Sequence, residues 1–446
     1  MKTILQEIIL EFHKEAIPSL LQRNIDVPTL PSSIRKALVF IGMRRVGKTY
    51  LMYQHMTETL ALMPDKHYML YINFEDDRLA TFSMSDFQTI LDVYFELYPN
   101  CTESNHLVFY FDEIQNISGW DKFIRRLIDK EKMSIYITGS SAKLLSKEIA
   151  TSLRGRCLTT EVFPYSLLEY LNYHAITDFK LLTLKQKSII KHHCANYLIR
   201  GGFPETLSLS DNLARQTIQS YVNTAVFRDV IDRYKLNNPH VIKLFLTHCL
   251  QNIASSLSVT KVYNTFKSRG ETLGRSSLYA YLDYFEDAYL LCSVSLFEFS
   301  TRKRQVNPSK IYCIDAGIIT AYSIKPHMDQ AIQLENAVYL YLRQTEHEGI
   351  YYYKTKTSKE VDFVIQHLNG QLTLFQACVD LSAPQTKERE LSALLEAAHE
   401  LHLTEAWIIT TDTMDTIKMN QLIIHVIPYW QWAIDQDQRG HNGFVS

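Results

Sequence analysis

The segment Gly42-Met43-Arg44-Arg45-Val46-Gly47-Lys48-Thr49 fits the pattern G-x-x-x-x-G-K-[ST] in full. In that spacing the glycines let successive backbone N–H groups turn inward around a phosphate. Lys48 reaches the β- and γ-oxygens, and Thr49 offers a hydroxyl to Mg²⁺. A helix beginning there adds the positive end of its dipole, with Tyr50 in its first turn. Gly42, Arg44, Arg45, Val46, Gly47, Lys48, Thr49 and Tyr50 are therefore the candidate nucleotide-binding set.

A Mg²⁺-nucleotide site also needs a carboxylate at the end of a neighbouring apolar strand, and Leu107-Val108-Phe109-Tyr110-Phe111-Asp112-Glu113 supplies two. The expected roles are Asp112 holding Mg²⁺ through water and Glu113 polarising the attacking water. The next apolar run ends in Thr138-Gly139-Ser140-Ser141, where Ser140 is the choice over Thr138 as sensor of the γ-phosphate. Farther on, Leu153-Arg154-Gly155-Arg156 offers two cations, of which Arg156 is the preferred arginine finger, acting in cis or from a neighbouring subunit. The bland alternative for both arginines is a solvated basic turn.

These side chains need strands and helices to hold them. "KALVFIGMRRVGKTYLMYQHM" parses as strand, loop and helix. Buried-type strands follow at 67–74, 106–113 and 134–141, with helical stretches such as "GWDKFIRRLIDKEK" between them, the alternation of a parallel sheet covered on both faces. From about 165 to 255 the pattern is mostly helical, broken by "RGGFPE". Residues 258–300 read as two short helices and a strand before "TRKR", the order of a winged helix-turn-helix. From about 306 helices and strands mix.

With 446 residues, about three domains are expected at roughly 150 residues each. The balance of 46% apolar and 21% charged residues is that of a folded soluble protein. A formal charge of −2 demands neither a nucleic acid nor a membrane partner, so any polyanion must meet a local patch. Seven scattered cysteines without C-x-x-C argue against a disulfide framework and fit a reduced, cytoplasmic setting. No apolar run approaches the roughly 18 residues that span a bilayer, so no membrane partner is expected.

The motifs "FIGMRRVGKTYL", "YINFEDDRL", "FYFDEIQNISGWDKFIRRL", "YITGSSAKLLSKEIATSLRGR", "FPYSLLEYL" and "GGFPE" resemble a large family of prokaryotic AAA-type ATPases. Its members carry the ATPase module, a winged-helix region and a C-terminal domain related to restriction endonucleases, and the match runs from about residue 20 to 425. The resemblance implies an α/β architecture in three parts: an AAA-type P-loop domain with N-terminal helix and helical lid over 1–235 (lid about 165–235), a winged helix over 236–305, and a restriction-endonuclease-like domain over 306–446. It also implies ATP and Mg²⁺ as ligands, a homo-oligomer as a possible assembly, and nucleotide-responsive roles for Arg156 and the "GGFPE" turn. An ordinary helix-breaking turn is the competing reading of Gly201-Gly202-Phe203-Pro204-Glu205.

Two further sites follow from the later segments. Arg275, Ser276, Ser277 and Tyr279 would open a recognition helix, with Arg302, Lys303 and Arg304 in or beside the wing. The seven basic residues between Lys261 and Arg304 are offset by five acidic ones, so a protein-contact or structural module stands beside DNA binding. In the nuclease-like core an acid on a helix, an Asp on one strand and an acid-x-Lys on the next converge on Mg²⁺. The matching positions are Glu335, Asp362 and Gln376-Ala377-Cys378: two carboxylates survive, the third ligand is an amide and the lysine is a cysteine. Glu360 lies at the start of its strand, so Asp362 is paired with the distant Glu335, and Lys354, Lys356 and Lys359 are the nearby cations. The expectation is a degenerate metal site without cleavage, attached to a Mg²⁺-dependent ATPase. The alternatives are a nucleotide-gated DNA- or protein-binding module with little hydrolysis, and an ATP-regulated nuclease.

Overall fold

The strands that carry the phosphate loop and the acidic pair are apolar along their whole length, and this dictates their place in the middle of a sheet. The computed structural model describes all residues except 19–20, 32–33, 103, 105, 132, 140–152, 299, 301–306, 325–328, 346–348 and 440–446. The chain forms two compact units, Met1–Phe163 with Asp287–Tyr289, and Pro164–Glu286 with Leu290–Ser446.

In the first unit, α1 (Lys2–Lys14) is followed by β1 (Ala37–Ile41), α2 (Lys48–Leu62), β2 (Met69–Asn73), α3 (Phe87–Leu97), β3 (Leu107–Asp112), α4 (Trp120–Lys130), β4 (Met133–Gly139) and β5 (Cys157–Glu161). The five strands form one parallel sheet in the order β2-β3-β4-β1-β5. Every residue of β1 and β3 is buried, because helices cover both faces. In α4 the spacing of Trp120, Phe123, Ile124, Leu127 and Ile128 puts all five on the covered face. Parallel strands bring their C-terminal ends to one edge, so the ends of β1, β3 and β4 lie side by side.

The second unit begins with α5 (Leu167–Tyr173), α6 (Leu184–Arg200) and α7 (Asp211–Ala225), the last continuing as π-helix over Val226–Asp232. Next come α8 (Pro239–Leu250), β6 (Ser255–Ser256), α9 (Val259–Ser268), α10 (Arg275–Asp287), β7 (Leu291–Val294) and β8 (Lys310–Cys313). The three strands form an antiparallel sheet ordered β6-β8-β7. The chain then runs through α11 (Ala316–Tyr322), α12 (Gln330–Thr345), β9 (Gly349–Lys354), β10 (Glu360–Gln366), β11 (Leu372–Ala377), α13 (Pro384–Leu401), β12 (Glu405–Thr410), β13 (Asp415–Met419), β14 (Leu422–Pro428) and α14 (Tyr429–Arg439). These six strands form a mixed sheet ordered β13-β14-β12-β11-β10-β9.

The compact units divide the chain at other points than the domains proposed from the sequence. The helices over 165–235 belong to the second unit rather than to the phosphate-loop unit, because α11 packs against α6 and α7. The expected break at 305/306 falls inside the three-stranded sheet, whose central strand is β8. Arg302, Lys303 and Arg304 lie outside the described residues, as does Ser140.

The "RGGFPE" turn has a packing explanation. Asp315 is buried, and its carboxylate accepts the N–H of Gly202 and of Gly317, each at 2.7 Å. A Cβ on Gly201, whose φ is +74°, would lie 2.0 Å from Asp315 Oδ1, and one on Gly202 would lie 2.2 Å from the Tyr165 carbonyl. Both glycines are demanded by close approach, which accounts for the turn without invoking nucleotide.

Gly202→Ala must displace backbone rather than a flexible side chain, so it is expected to destabilise the second unit by about 3 kcal/mol, measured by urea unfolding. Burial pushes the Asp315 carboxyl from 3.8 up to about 7 against the pull of its backbone donors. The raised value means that this group costs nothing while protonated, and its penalty grows as pH rises from about 4 through 7. The wild-type urea midpoint is therefore expected to fall across that window by an increment that Asp315→Asn, which does not ionise, lacks.

Candidate nucleotide site

Asp112 closes β3 with its carboxylate 1% exposed, among the least exposed polar groups of the described residues. Three hydroxyls aim at it. Thr49 Oγ1 donates to Oδ2 at 2.9 Å, Tyr71 Oη donates to the same oxygen at 3.0 Å, and Thr138 Oγ1 donates to Oδ1. Burial raises the Asp112 carboxyl above the usual aspartate range, and the Thr138, Thr49 and Tyr71 hydroxyls pull the other way while the neighbouring Glu113 adds to the rise. The carboxylate thus ties the first turn of α2, β2 and β4 to the end of β3.

Glu113 follows in a left-handed conformation, φ +51°, which a non-glycine residue adopts at a cost of order 1 kcal/mol or more. Its backbone N–H donates to Thr138 Oγ1 at 2.9 Å, so one threonine hydroxyl fixes both acidic residues. The Glu113 carboxylate accepts from Gln115 Nε2 and lies 3.8 Å from Lys48 Nζ. Lys48 itself is buried, and its ammonium donates to the carbonyls of Met43 at 2.9 Å and Gly42 at 3.2 Å.

The loop geometry explains its residue types. Gly47 has φ +95° and caps α2, a conformation that favours glycine, and a Cβ on Gly42 would lie 2.2 Å from the Val162 carbonyl. Val46 is buried, Arg45 has φ +70°, and Arg44 pairs with Glu75 at 3.4 Å. Tyr50 is 56% exposed.

Arg23 was not among the expected site residues. Its buried guanidinium donates to the carbonyls of Val46 and Phe163, each at 2.8 Å, while Gln54 pairs with both backbone groups of Arg23. A single arginine in an aperiodic segment gives no sequence signal for that role. Tyr71 and Thr138 were likewise passed over, although both sit on strands whose neighbours end in the site.

Of the two modes open to Arg156, in cis or from a neighbouring subunit, its place in the sheet weighs against the first. It immediately precedes β5, where Cys157 is in register with Ala37 at the start of β1, whereas the phosphate loop follows the other end of β1. Five residues at about 3.3 Å each separate them by roughly 15 Å, and the Arg156 Nε is 2.8 Å from Asp129. Arg156 therefore cannot serve the phosphate loop of its own chain from this position. Arg154 is exposed with φ +50°.

The C-terminal carboxylates also have an unexpected partner. Lys310 Nζ, from β8, lies 2.9 Å from Glu335 Oε1, 2.7 Å from Glu360 Oε1 and 3.0 Å from Asp362 Oδ1. Glu360 thus joins the pair Glu335 and Asp362, a correction to the reading that set it aside for lying at the start of β10. Of the lysines expected nearby, Lys354 reaches only the far oxygen of Glu360 at 3.5 Å, and Lys359 pairs with Glu396. Burial and Asp362 push the Glu335 carboxyl up to about 8 against Lys310 and Tyr312. Gln376 Oε1 accepts the Asp362 N–H at 3.1 Å, and Cys378 is a buried member of the sheet's apolar core. Among the described residues no group of three or more His, Cys, Asp or Glu side chains is arranged to hold a metal ion.

The parallel sheet, the glycine-bounded loop and the buried Asp112 define a P-loop unit of the AAA type. In agreement, residues 34–171 match the family described as AAA domain, while 191–327 and 331–432 match two domains of unknown function, DUF8612 and DUF4143. The chain belongs to the same family as the uncharacterized protein MJ1544 of Methanocaldococcus jannaschii, with 33% identity over 449 residues covering 97% of this chain and 96% of that one. An uncharacterized protein of Haemophilus influenzae is 26% identical over 73% of this chain and 78% of its own length. Among solved structures, the Walker-type ATPase PABY2304 of Pyrococcus abyssi is similar at 16% identity and a TM-score of 0.39, covering 65% of this chain and 92% of that one. The ORC2 protein of Aeropyrum pernix is similar at 11% identity and a TM-score of 0.34, covering 76% and 92%.

Thr138→Val removes the hydroxyl shared by Asp112 and Glu113 and leaves the loop intact. Turnover of ATP is expected to fall roughly tenfold to a hundredfold with nucleotide affinity changed far less, as read from phosphate release alongside fluorescent-nucleotide binding.

Proposed function

We propose that the protein is a Mg²⁺-dependent ATPase whose hydrolysis cycle drives conformational change in the attached helical and C-terminal parts. The observation that carries the reading is the convergence of Thr49, Asp112, Glu113 and Lys48 at the ends of two strands separated by one. The residues suit the ligand. Thr49 and Asp112 would hold Mg²⁺, directly and through water, and the loop amides with Lys48 would bind the phosphates. When bound, the ion neutralises charge on the β- and γ-phosphates and orients them.

The chain's own groups then divide the work. Lys48, now bonded to loop carbonyls, exchanges those acceptors for phosphate oxygens. Glu113 accepts a proton from the attacking water, a reading supported by its strained backbone and its contact with Thr138. Ser140, outside the described residues, is retained as the proposed γ-phosphate sensor. Tyr289 Oη donates to Glu161 of β5 at 3.1 Å, within the same unit as the phosphate loop.

Since Arg156 is remote from its own loop, we propose that it completes the site of a second copy, in a homo-oligomer. We further propose α8 to β8 as a winged helix with DNA as partner, supported by the exposed Arg275, Ser276 and Tyr279 at the start of α10. Asp283 is also exposed on that helix, which sets a like-charge penalty against phosphate.

Phosphate release by purified protein, with and without single- and double-stranded DNA, tests the reading. Wild type is expected to turn over ATP, Lys48→Ala to lose binding, and Glu113→Gln to bind while losing about 100-fold or more in rate. No release under any of these conditions would contradict it. Arg156→Ala is expected to lose about 10³-fold, and mixing it with Lys48→Ala protein should restore part of the rate if the arginine acts between copies.

A further inference from the structure

Three carboxylates on two elements, Glu335 of α12 with Glu360 and Asp362 of β10, point one oxygen each at a single spot. The spot is taken. Lys310 Nζ stands 2.7 to 3.0 Å from all three oxygens, and its side chain is 3% exposed. An ion at the convergence point would need oxygens at about 2.1 Å for Mg²⁺, so it and the ammonium exclude one another. The carboxylates are also held for this arrangement. Tyr312 Oη donates to Glu335 Oε1 at 2.8 Å, and the Ala377 N–H donates to Asp362 Oδ2 at 3.0 Å.

Lys310 is not positioned to withdraw. It opens β8, the central strand of the three-stranded sheet, where it is in register with Ser256 on one side and Val294 on the other. Its backbone is held in the ladder, and its ammonium by the three carboxylates. The remaining donor expected of a metal site is also engaged, since the Gln376 carbonyl oxygen accepts the Asp362 N–H. The residues thus do not fit the Mg²⁺ that a restriction-endonuclease-like core implies.

We infer that Lys310 is the resident cation of this cluster: its ammonium replaces the divalent ion, locks β8 onto α12 and β10, and makes the C-terminal sheet independent of metal. The phosphodiester chemistry that needs an ion between Glu335 and Asp362 is accordingly absent, and the cluster serves as a polar joint between the two sheets of the unit. The ammonium also offsets the mutual repulsion of the three carboxylates, of which Asp362 and Glu335 are largely buried and Glu360 is 35% exposed. Removing the ammonium would leave like charges facing one another with no counter-ion.

Mn²⁺ is the probe, counted by electron paramagnetic resonance of the free ion in solutions of the full-length, nucleotide-free protein. Wild type, Asp362→Asn and Glu335→Gln are expected to titrate alike, and the wild-type melting temperature should not differ between Mn²⁺ and EDTA. Lys310→Met is expected to melt lower, to gain one Mn²⁺ site at least about tenfold tighter than any in wild type, and to recover part of its melting temperature with Mn²⁺. That site should vanish in Lys310→Met/Asp362→Asn. A Mn²⁺ site in wild type that Asp362→Asn abolishes would overturn the inference, as would a folded Lys310→Met protein that gains none. Should Lys310→Met not fold, the comparison of wild type with Asp362→Asn and Glu335→Gln still decides it.

Discussion

The buried carboxylate of Asp112 is the constraint on which the phosphate-loop unit depends. A charge taken out of water is tolerable only with strong partners, and here the partners are hydroxyls from three other elements: Thr49 at the start of α2, Tyr71 on β2 and Thr138 on β4. Meeting that demand fixes the spacing of strand ends along the sheet edge. β4, as a neighbour of β3, offers one hydroxyl to both Asp112 and the Glu113 N–H. The strained backbone of Glu113 is then a consequence of satisfying the same threonine.

The second unit solves the same problem twice by other means. Asp315 is accommodated by backbone N–H groups, with two glycines clearing room for it. Glu335, Glu360 and Asp362 are accommodated by an ammonium. In each case an acid joins segments far apart in sequence.

The phosphate-loop half was legible because its signals are local. A fixed spacing of glycines, lysine and threonine, and an apolar run ending in Asp112-Glu113, each declare both a strand and a role within a dozen residues. What escaped was what depends on register between elements. Tyr71 looks like an ordinary strand residue until β2 is laid beside β3, and Thr138, a candidate sensor set behind Ser140, shows its bond to Asp112 only when β4 is. Arg156 looked available until β5 paired with β1 and put it at the opposite edge. Lys310 opens an apolar strand, "KIYC", and a lone lysine on a buried strand is a signal that a carboxylate must meet it, but its partners lie 25, 50 and 52 residues on, beyond any spacing rule. The glycines of "RGGFPE" were legible as a turn, and their reason was not, because it is a side chain more than a hundred residues away.

The central claim is that the ends of β1 and β3 form a hydrolytic site rather than a nucleotide clamp. The most direct test is a single-turnover measurement with protein in excess over γ-labelled ATP and Mg²⁺, comparing wild type with Glu113→Gln. The account predicts that both bind the label fully, that wild type converts it to free phosphate, and that Glu113→Gln holds it as ATP. Equal and negligible conversion by the two proteins, at full binding and with a second copy able to assemble, would contradict it.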